Sequence, residues 1–128
     1  MSWLKEKRIL VVEDEALIAV MVEDMLMELG SAVAGPAASI AEALKLARAE
    51  AIDAAVLDVN VRGERIDPVA EVLFARGIPV LFATGYGGAQ LAEGAQAAVI
   101  DKPYTLEKLA TGLARCMGLD AGVRKAAS

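Results

Sequence analysis

The chain has 128 residues, the size of one domain, and can bury about two-thirds of its unfolded surface without disulfides or structural metals. Apolar residues make up 56% of it and the net charge is −5, which argues against a nucleic-acid partner because nucleic acids bind basic faces. The single cysteine fits a reducing compartment, and the sequence shows neither a membrane-spanning stretch nor a signal peptide, so we expect a cytoplasmic domain with no membrane partner.

The first predicted elements are a strand and an amphipathic helix. Residues 8–12 (RILVV) form a β-branched strand that ends abruptly in three acidic residues, 13–15 (EDE). Apolar residues then recur at helical spacing, and Gly30 closes the helix. One face of this helix is predicted to carry the apolar residues Leu17, Ile18, Met21, Val22, Met25, Leu26 and Leu29.

The second strand is predicted to be short and the second helix to be well capped. Residues 32–34 are a weak strand broken by Gly35 and Pro36. Ser39 and Glu42 have the spacing of a capping box, in which each side chain satisfies a free amide at the helix start. The helix is expected to turn four apolar residues inward: Ile40, Ala43, Leu44 and Ala47.

The central stretch, residues 52–60 (IDAAVLDVN), is an apolar run of strand length that leads to Asp58 and then to a polar loop at 62–64. Asp67 and Pro68 are predicted as the N-cap and first residue of the third helix, which ends at residues 76–77. The fourth strand, 79–83, ends at Thr84 and Gly85.

The last part of the chain predicts a poor helix, a strand and a good helix. Residues 87–94 contain three glycines, each of which costs up to about 1 kcal/mol in a helix relative to alanine. Residues 97–100 form the fifth strand, which runs into Asp101, Lys102 and Pro103. The final helix presents one apolar face, formed by Leu106, Leu109, Ala110 and Leu113.

Five strands alternating with five helices predict an α/β fold with right-handed crossovers. The expected architecture is a flavodoxin-like, doubly wound, five-stranded parallel sheet of order 2-1-3-4-5 with helices on both faces. We expect one domain over residues 1–128, with an ordered core at about 6–119 and a tail at 120–128. No output domain follows Leu119 in this sequence, so either the output passes through protein contacts or the chain is a fragment of a longer protein.

Three carboxylates are expected to converge where the first and third strands end, because these strands are neighbours in the predicted sheet. They are Glu13, Asp14 and Asp58. Such a cluster repels itself unless a cation is bound, and its hard oxygen ligands favour Mg²⁺, with Mn²⁺ as a substitute. The competing interpretation is that residues 13–15 are only a favourable acidic first turn of the helix.

Lys102 and Thr84, at the ends of the fifth and fourth strands, suggest that an anion also binds there. A phosphoryl group on Asp58 would be neutralised by the cation and Lys102, and Thr84 would donate a hydrogen bond to it. Each residue alone has an ordinary alternative, a solvated lysine or a strand-end hydroxyl. Agreement among four strand ends favours the site.

The sequence resembles the receiver domains of bacterial two-component response regulators over nearly its whole length. The matching segments are residues 11–15 (VVEDE), 57–60 (LDVN), 83–85 (ATG) and 101–103 (DKP), in family order and spacing. The resemblance implies a signalling switch that is not a turnover enzyme, apart from accepting a phosphoryl group and slowly losing it.

The resemblance also implies the metal ligands. Asp14 and Asp58 would bind Mg²⁺ directly, the backbone carbonyl of Asn60 would do the same, and Glu13 would act largely through water.

The resemblance further implies that Asp58 accepts the phosphoryl group and that Thr84 and Lys102 contact its oxygens. It also implies a cis peptide bond between Lys102 and Pro103. The family takes the group from a histidine of a partner kinase or histidine phosphotransfer protein, and this chain contains no histidine, so its donor is another molecule.

Two departures from the family pattern concern the switch. Val99 occupies the position, three residues before the lysine, where many receivers have an aromatic residue, so the usual threonine–aromatic coupling is in doubt. Residues 82–87 (FATGYG) partly match a Phe-Ala-Thr-Gly-rich subfamily described mainly from α-proteobacteria. Tyr86 is then a candidate substitute aromatic or an ordinary loop tyrosine, and Asn60 and Tyr86 occupy positions that tune dephosphorylation in the family.

The glycine-rich segment 87–94 is expected to be poorly helical without phosphate and to order on activation. The fourth helix, fifth strand and fifth helix are the expected surface for a downstream protein target or a homodimer, through Leu91, Leu106, Leu109 and their neighbours. The alternative, expected for most of these residues, is that they pack on the sheet.

Three other classes of protein are alternatives to a receiver domain. A magnesium-dependent phosphatase of the haloacid-dehalogenase type would need a second aspartate where Asn60 stands. A flavin carrier would need a phosphate loop where residues 13–15 are acidic. A docking module that is never phosphorylated would be expected to have lost part of the acidic cluster.

Overall fold

The computed structural model describes residues 4–85 and 97–119 of the chain. The strands are β1 (Arg8–Val12), β2 (Ala32–Ala37), β3 (Ala54–Asp58), β4 (Asn60–Val61), β5 (Glu64–Arg65), β6 (Val80–Thr84) and β7 (Ala97–Asp101). The helices are α1 (Ala16–Glu28), α2 (Ile40–Ala49), α3 (Asp67–Ala75) and α4 (Leu106–Cys116). The predicted fourth helix, at 87–94, and the predicted tail lie outside the described residues.

The main sheet has five parallel strands in the order β2-β1-β3-β6-β7. Since β6 and β7 are the fourth and fifth predicted strands, the predicted order 2-1-3-4-5 is confirmed. This strand order is the flavodoxin-like arrangement. All residues of the interior strands β3 and β6 are buried, as expected for parallel strands covered on both faces.

Two apolar layers cover the sheet. Alternate residues of each strand point to opposite faces, so Leu57 and Phe82 pack toward α2 and α3 while Val56 and Leu81 pack toward α1 and α4. No helix within residues 4–85 and 97–119 has both the length and the apolar character needed to cross a membrane.

The capping box of α2 is confirmed, with one refinement. The hydroxyl of Ser39 accepts the Glu42 N–H at 3.2 Å, and the Glu42 carboxylate accepts the N–H of Ala38, one residue further back than the cap, at 2.9 Å. Ala43 and Ala47 are buried, and Ile40 and Leu44 pack against the same layer.

The apolar face predicted for α1 is too wide. Val22 and Leu26 are fully buried, but Leu17 is 77% exposed and Met21 is 46% exposed. Only one side of α1 rests on the sheet, whereas the apolar stripe extends around the helix, so its outer members reach solvent. At α4, Leu106 is likewise 36% exposed, while Leu109 is buried.

Two boundaries also differ from prediction. β2 is not broken at Gly35 but runs on to Ala37, because a register shift against β1 and the positive φ of Gly35 (93°) absorb the irregularity. Asp67 is the first residue of α3 rather than its cap, and Ile66 occupies the cap position without a side-chain hydrogen bond.

Candidate functional site

Four neighbouring strands end at the same edge of the sheet. Glu13 and Asp14 follow β1, Asp58 ends β3, Thr84 ends β6 and Lys102 follows β7. Backbone hydrogen bonds fix two of these ends, since the Glu13 N–H donates to the carbonyl of the last β2 residue at 2.9 Å and the Lys102 N–H to the carbonyl of Thr84 at 2.8 Å. The predicted convergence is therefore present in the backbone.

The side chains of the acidic residues converge as well. One carboxylate oxygen from each of Glu13, Asp14 and Asp58 lies within 4.8 Å of the other two. The ammonium of Lys102 bridges the cluster, at 2.8 Å from Asp58 Oδ2 and 3.1 Å from Glu13 Oε1. Three carboxylates thus face one ammonium, which leaves an excess of negative charge.

Burial sets the electrostatics of this group. The side chain of Glu13 is fully buried, and this desolvation raises the pKa of the carboxyl, although hydrogen bonds from the Glu15 N–H and Lys102 oppose the effect. Burial by itself lowers the pKa of Lys102, but its hydrogen bonds to Asp58 and Glu13 outweigh that effect and the net shift is upward. Lys102 therefore stays charged at neutral pH.

Asp14 accepts a hydrogen bond from the loop between β4 and β5. The backbone N–H of Arg62 donates to Asp14 Oδ2 at 2.8 Å, and this hydrogen bond is the main reason that the pKa of Asp14 lies below its ordinary value. Asp58 receives a similar but longer contact, because the N–H of Asn60 lies 3.3 Å from Asp58 Oδ1. Both oxygens of Asp58 thus have polar neighbours, one of them Lys102.

The remaining predicted residues lie at different distances from the cluster. Thr84 is buried beside it, at the end of β6 and in register with Asp101 of β7. Val99 pairs with Phe82 and packs against the layer on the α2 and α3 side. Tyr86 lies outside the described residues. The Lys102–Pro103 peptide bond is cis, as the resemblance implies.

Two residues of the site were not anticipated from the sequence. Tyr104 is 6% exposed, and its ring centroid lies 5.8 Å from Lys102 Nζ, within the range of a cation–π contact. Burial raises the pKa of Tyr104 strongly, so its hydroxyl stays neutral. Its position two residues after Lys102 was the available signal. Arg62 acts through its backbone, for which no local sequence signal exists.

An apolar cleft of about 340 Å³ opens beside Lys102. It is lined by Ile18, Met21, Lys102, Pro103 and Tyr104.

The donor set fits a hard divalent cation. Three clustered carboxylates supply oxygen ligands only, and partial exposure of Asp14 leaves room for water, as Mg²⁺ requires. Lys102 offsets only one of the three negative charges, so a cation would relieve the remaining repulsion.

Comparisons with known proteins point in one direction, although no family model matches the chain. The structure of SdrG from Sphingomonas melonis Fr1 is 43% identical, with a TM-score of 0.75, and the match covers 88% of this chain and 97% of SdrG. The receiver domain of the hybrid histidine kinase CckA is 31% identical, with a TM-score of 0.64, and the match covers 80% of this chain and 92% of that one.

A curated relative is longer than this chain. The transcriptional regulatory protein PdtaR of Mycobacterium tuberculosis is 32% identical over 108 residues, which are 80% of this chain and 53% of PdtaR. The chain therefore spans about half the length of the curated relatives it matches. The receiver domain of the sensor histidine kinase PA1611 from Pseudomonas aeruginosa shares the fold, with 22% identity and a TM-score of 0.72. The match covers 88% of this chain and 98% of that one, and that structure is described with magnesium coordinated in its active-site cleft.

Proposed function

The chain belongs to the receiver domains of response regulators, and we propose that it is a phosphorylation-dependent signalling switch whose phosphoryl acceptor is Asp58. The observation that carries this proposal is the arrangement around Asp58, where three carboxylates and the Lys102 ammonium meet at the carboxyl edge of a parallel sheet. Such edges are where α/β folds of this kind bind ligands.

In the proposed reaction, a carboxylate oxygen of Asp58 attacks the phosphorus of a phosphohistidine. A P–O bond to Asp58 forms as the P–N bond to the donor imidazole breaks, and the imidazole keeps the electron pair and leaves. The chain has no histidine, so the donor belongs to a partner histidine kinase or histidine phosphotransfer protein.

In this proposal, the residues around Asp58 stabilise the negative charge of the phosphoryl group. Lys102 contacts Asp58 Oδ2 and stays protonated, and both observations support its proposed role of binding an oxygen of the arriving phosphoryl group. Thr84, buried at the next strand end, would donate a hydrogen bond to another oxygen.

Glu13, Asp14, Asp58 and the carbonyl of Asn60 would hold Mg²⁺ or Mn²⁺ in this arrangement. When bound, the cation supplies positive charge that neutralises the phosphoryl oxygens. The clustered carboxylates support this assignment, and so does the magnesium described in the PA1611 receiver domain of the same fold.

The output is proposed to be a contact with a downstream protein target or a second copy of the chain. The proposed surface is the exposed face of α4 together with β7. Leu106 can contribute to it, whereas Leu109 cannot, because it is fully buried against the sheet.

Intact-mass spectrometry after incubation with Mg²⁺ and acetyl phosphate tests the proposal. We expect one phosphoryl adduct on the wild type and none on Asp58→Asn. Asp53→Asn is the matched control, because Asp53 precedes the opposite end of β3 and accepts the Arg8 N–H there. An adduct of equal yield on Asp58→Asn would refute the acceptor. Mg²⁺ binding without any adduct, from acetyl phosphate or from a phosphorylated kinase, would favour the docking-module alternative.

A further inference from the structure

The loop after Asp58 is a regular hairpin rather than an irregular connection. β4 and β5 pair in antiparallel fashion, with Asn60 opposite Arg65, and two residues join them. These are Arg62, with φ of 52°, and Gly63, with φ of 79°. Two positive φ values in a two-residue connection are the mark of a type I′ turn, which prefers Asn-Gly and here holds an arginine in a conformation that L-residues seldom adopt.

The base of this hairpin is anchored in the core. Val61 and Ile66 are fully buried. The Val59 N–H donates to the carbonyl of Ala83 at 3.1 Å, and the Ile66 N–H donates to the carbonyl of Val59 at 2.9 Å. The turn at the tip of the hairpin is exposed. The position of the turn therefore depends on the buried base of the hairpin and on the contacts that the turn itself makes.

The tip contacts the acidic cluster. The Arg62 N–H donates to Asp14 Oδ2 at 2.8 Å, across 48 residues of sequence. Hydrogen bonds to ionised carboxylates are about twice as strong as neutral ones. The positive φ of Arg62 thus occurs at the residue whose N–H donates to one oxygen of Asp14, a candidate cation ligand.

We propose that the 60–65 hairpin is a positioning element of the cation site, with the Arg62 amide fixing the orientation of Asp14. One Asp14 oxygen is occupied by the turn, so the carboxylate cannot rotate freely and presents its other oxygen in a set direction. This inference rests on the proposed function, since it assumes that the cluster binds Mg²⁺. Groups that orient metal ligands in this way typically change metal affinity about 10- to 100-fold when removed.

Magnesium affinity of turn variants, measured by isothermal titration calorimetry, tests the inference. Arg62→Pro removes the donor N–H and cannot adopt a positive φ, so we expect its Mg²⁺ dissociation constant to rise about 10-fold or more. Arg62→Asn keeps the N–H and tolerates the conformation, so its affinity should stay within about 2-fold of wild type. Gly63→Val should also weaken Mg²⁺ binding, because valine disfavours the positive φ of 79° at this position and so distorts the turn. A steric clash does not contribute, since a Cβ at Gly63 would have no atom within 4 Å.

Amide hydrogen exchange supplies a second test, which does not depend on the folding of the turn variants. The Arg62 amide, although on an exposed turn, should be protected in the wild type without metal and should lose protection in Asp14→Ala. An unprotected Arg62 amide in the wild type would overturn the inference.

The calorimetric outcomes separate the two proposals. Equal Mg²⁺ affinity in wild type, Arg62→Pro and Gly63→Val would overturn the positioning role and leave the proposed switch intact. Tighter binding by Arg62→Pro would also overturn it, since the amide would then compete with the cation. No Mg²⁺ binding by the wild type would contradict the cation site of the proposed function itself.

Discussion

Replacing Lys102 with methionine removes the ammonium that bridges Glu13 and Asp58 but keeps a side chain of similar length. The Glu13 side chain is 0% exposed and that of Asp58 is 11% exposed, so without Lys102 two poorly solvated carboxylates face each other. Breaking a buried ion pair on one side typically costs about 3–5 kcal/mol.

Protonation of a carboxyl limits that cost. Glu13 already has a raised pKa because it is buried, and a carboxyl with an ordinary pKa of 4.5 can be neutralised at pH 7 for about 3.4 kcal/mol. We therefore expect Lys102→Met to lower the free energy of unfolding by about 2–3 kcal/mol at pH 7. At pH 5.5, one pH unit above that ordinary pKa, neutralisation costs only about 1.4 kcal/mol, so the loss of unfolding free energy should shrink to about 1 kcal/mol.

The sign follows from linkage. An acid whose folded pKa is raised destabilises the fold above its ordinary pKa, and that penalty disappears as the pH falls. Urea denaturation in metal-free buffer at both pH values measures the effect, with Lys45→Met, an exposed lysine on α2, as control; its cost should stay within about 0.5 kcal/mol. A loss for Lys102→Met that is equal at the two pH values, or no larger than the control's, would refute the reasoning.

Three further predictions concern stability. Mg²⁺ at 100 times its dissociation constant should raise the free energy of unfolding by about 2.7 kcal/mol in urea denaturation, and Asp14→Asn should lose most of that gain; equal gains would contradict the ligand assignment. Gly112→Ala should destabilise the protein by about 1–2 kcal/mol in the same assay, although alanine has the better helix propensity, because the new Cβ would lie 2.7 Å from Leu81 Cδ1. As a control, Thr111→Ala at the exposed neighbouring position should cost under about 0.5 kcal/mol. The Arg62 N–H lowers the pKa of Asp14, so the Asp14 carboxylate stabilises the fold above its ordinary pKa of 3.8, and this contribution is lost as the pH falls through the lower folded pKa. In metal-free thermal melts, Asp14→Asn should therefore lose less stability on acidification than the wild type. Parallel stability curves for the two proteins would contradict this.

Much of the candidate site was predictable because it depends on short-range patterns. Asp58 and Lys102 each follow an apolar run of strand length, and parallel strands joined by crossovers present their carboxyl ends at one edge. The strand order then brings β1 beside β3, so Glu13 and Asp14 had to lie near Asp58.

Other features depend on packing and on long-range contacts. Helical spacing identified the apolar stripe of α1 but not how much of it the sheet would cover, and two members of the stripe, Leu17 and Met21, are exposed. The 60–65 hairpin was missed because its strands have two residues each and its turn is Arg-Gly rather than Asn-Gly. The contact between Arg62 and Asp14 spans 48 residues and no local pattern predicts it.

Locating the phosphoryl group tests the central claim most directly. Borohydride converts an aspartyl phosphate to homoserine, so wild-type protein phosphorylated in Mg²⁺ can be reduced, digested and mapped by tandem mass spectrometry. We predict homoserine at position 58 and unmodified aspartate at positions 14, 53 and 101. Homoserine at another position, or none at position 58 in a sample that carries the phosphoryl adduct, would contradict Asp58 as the acceptor.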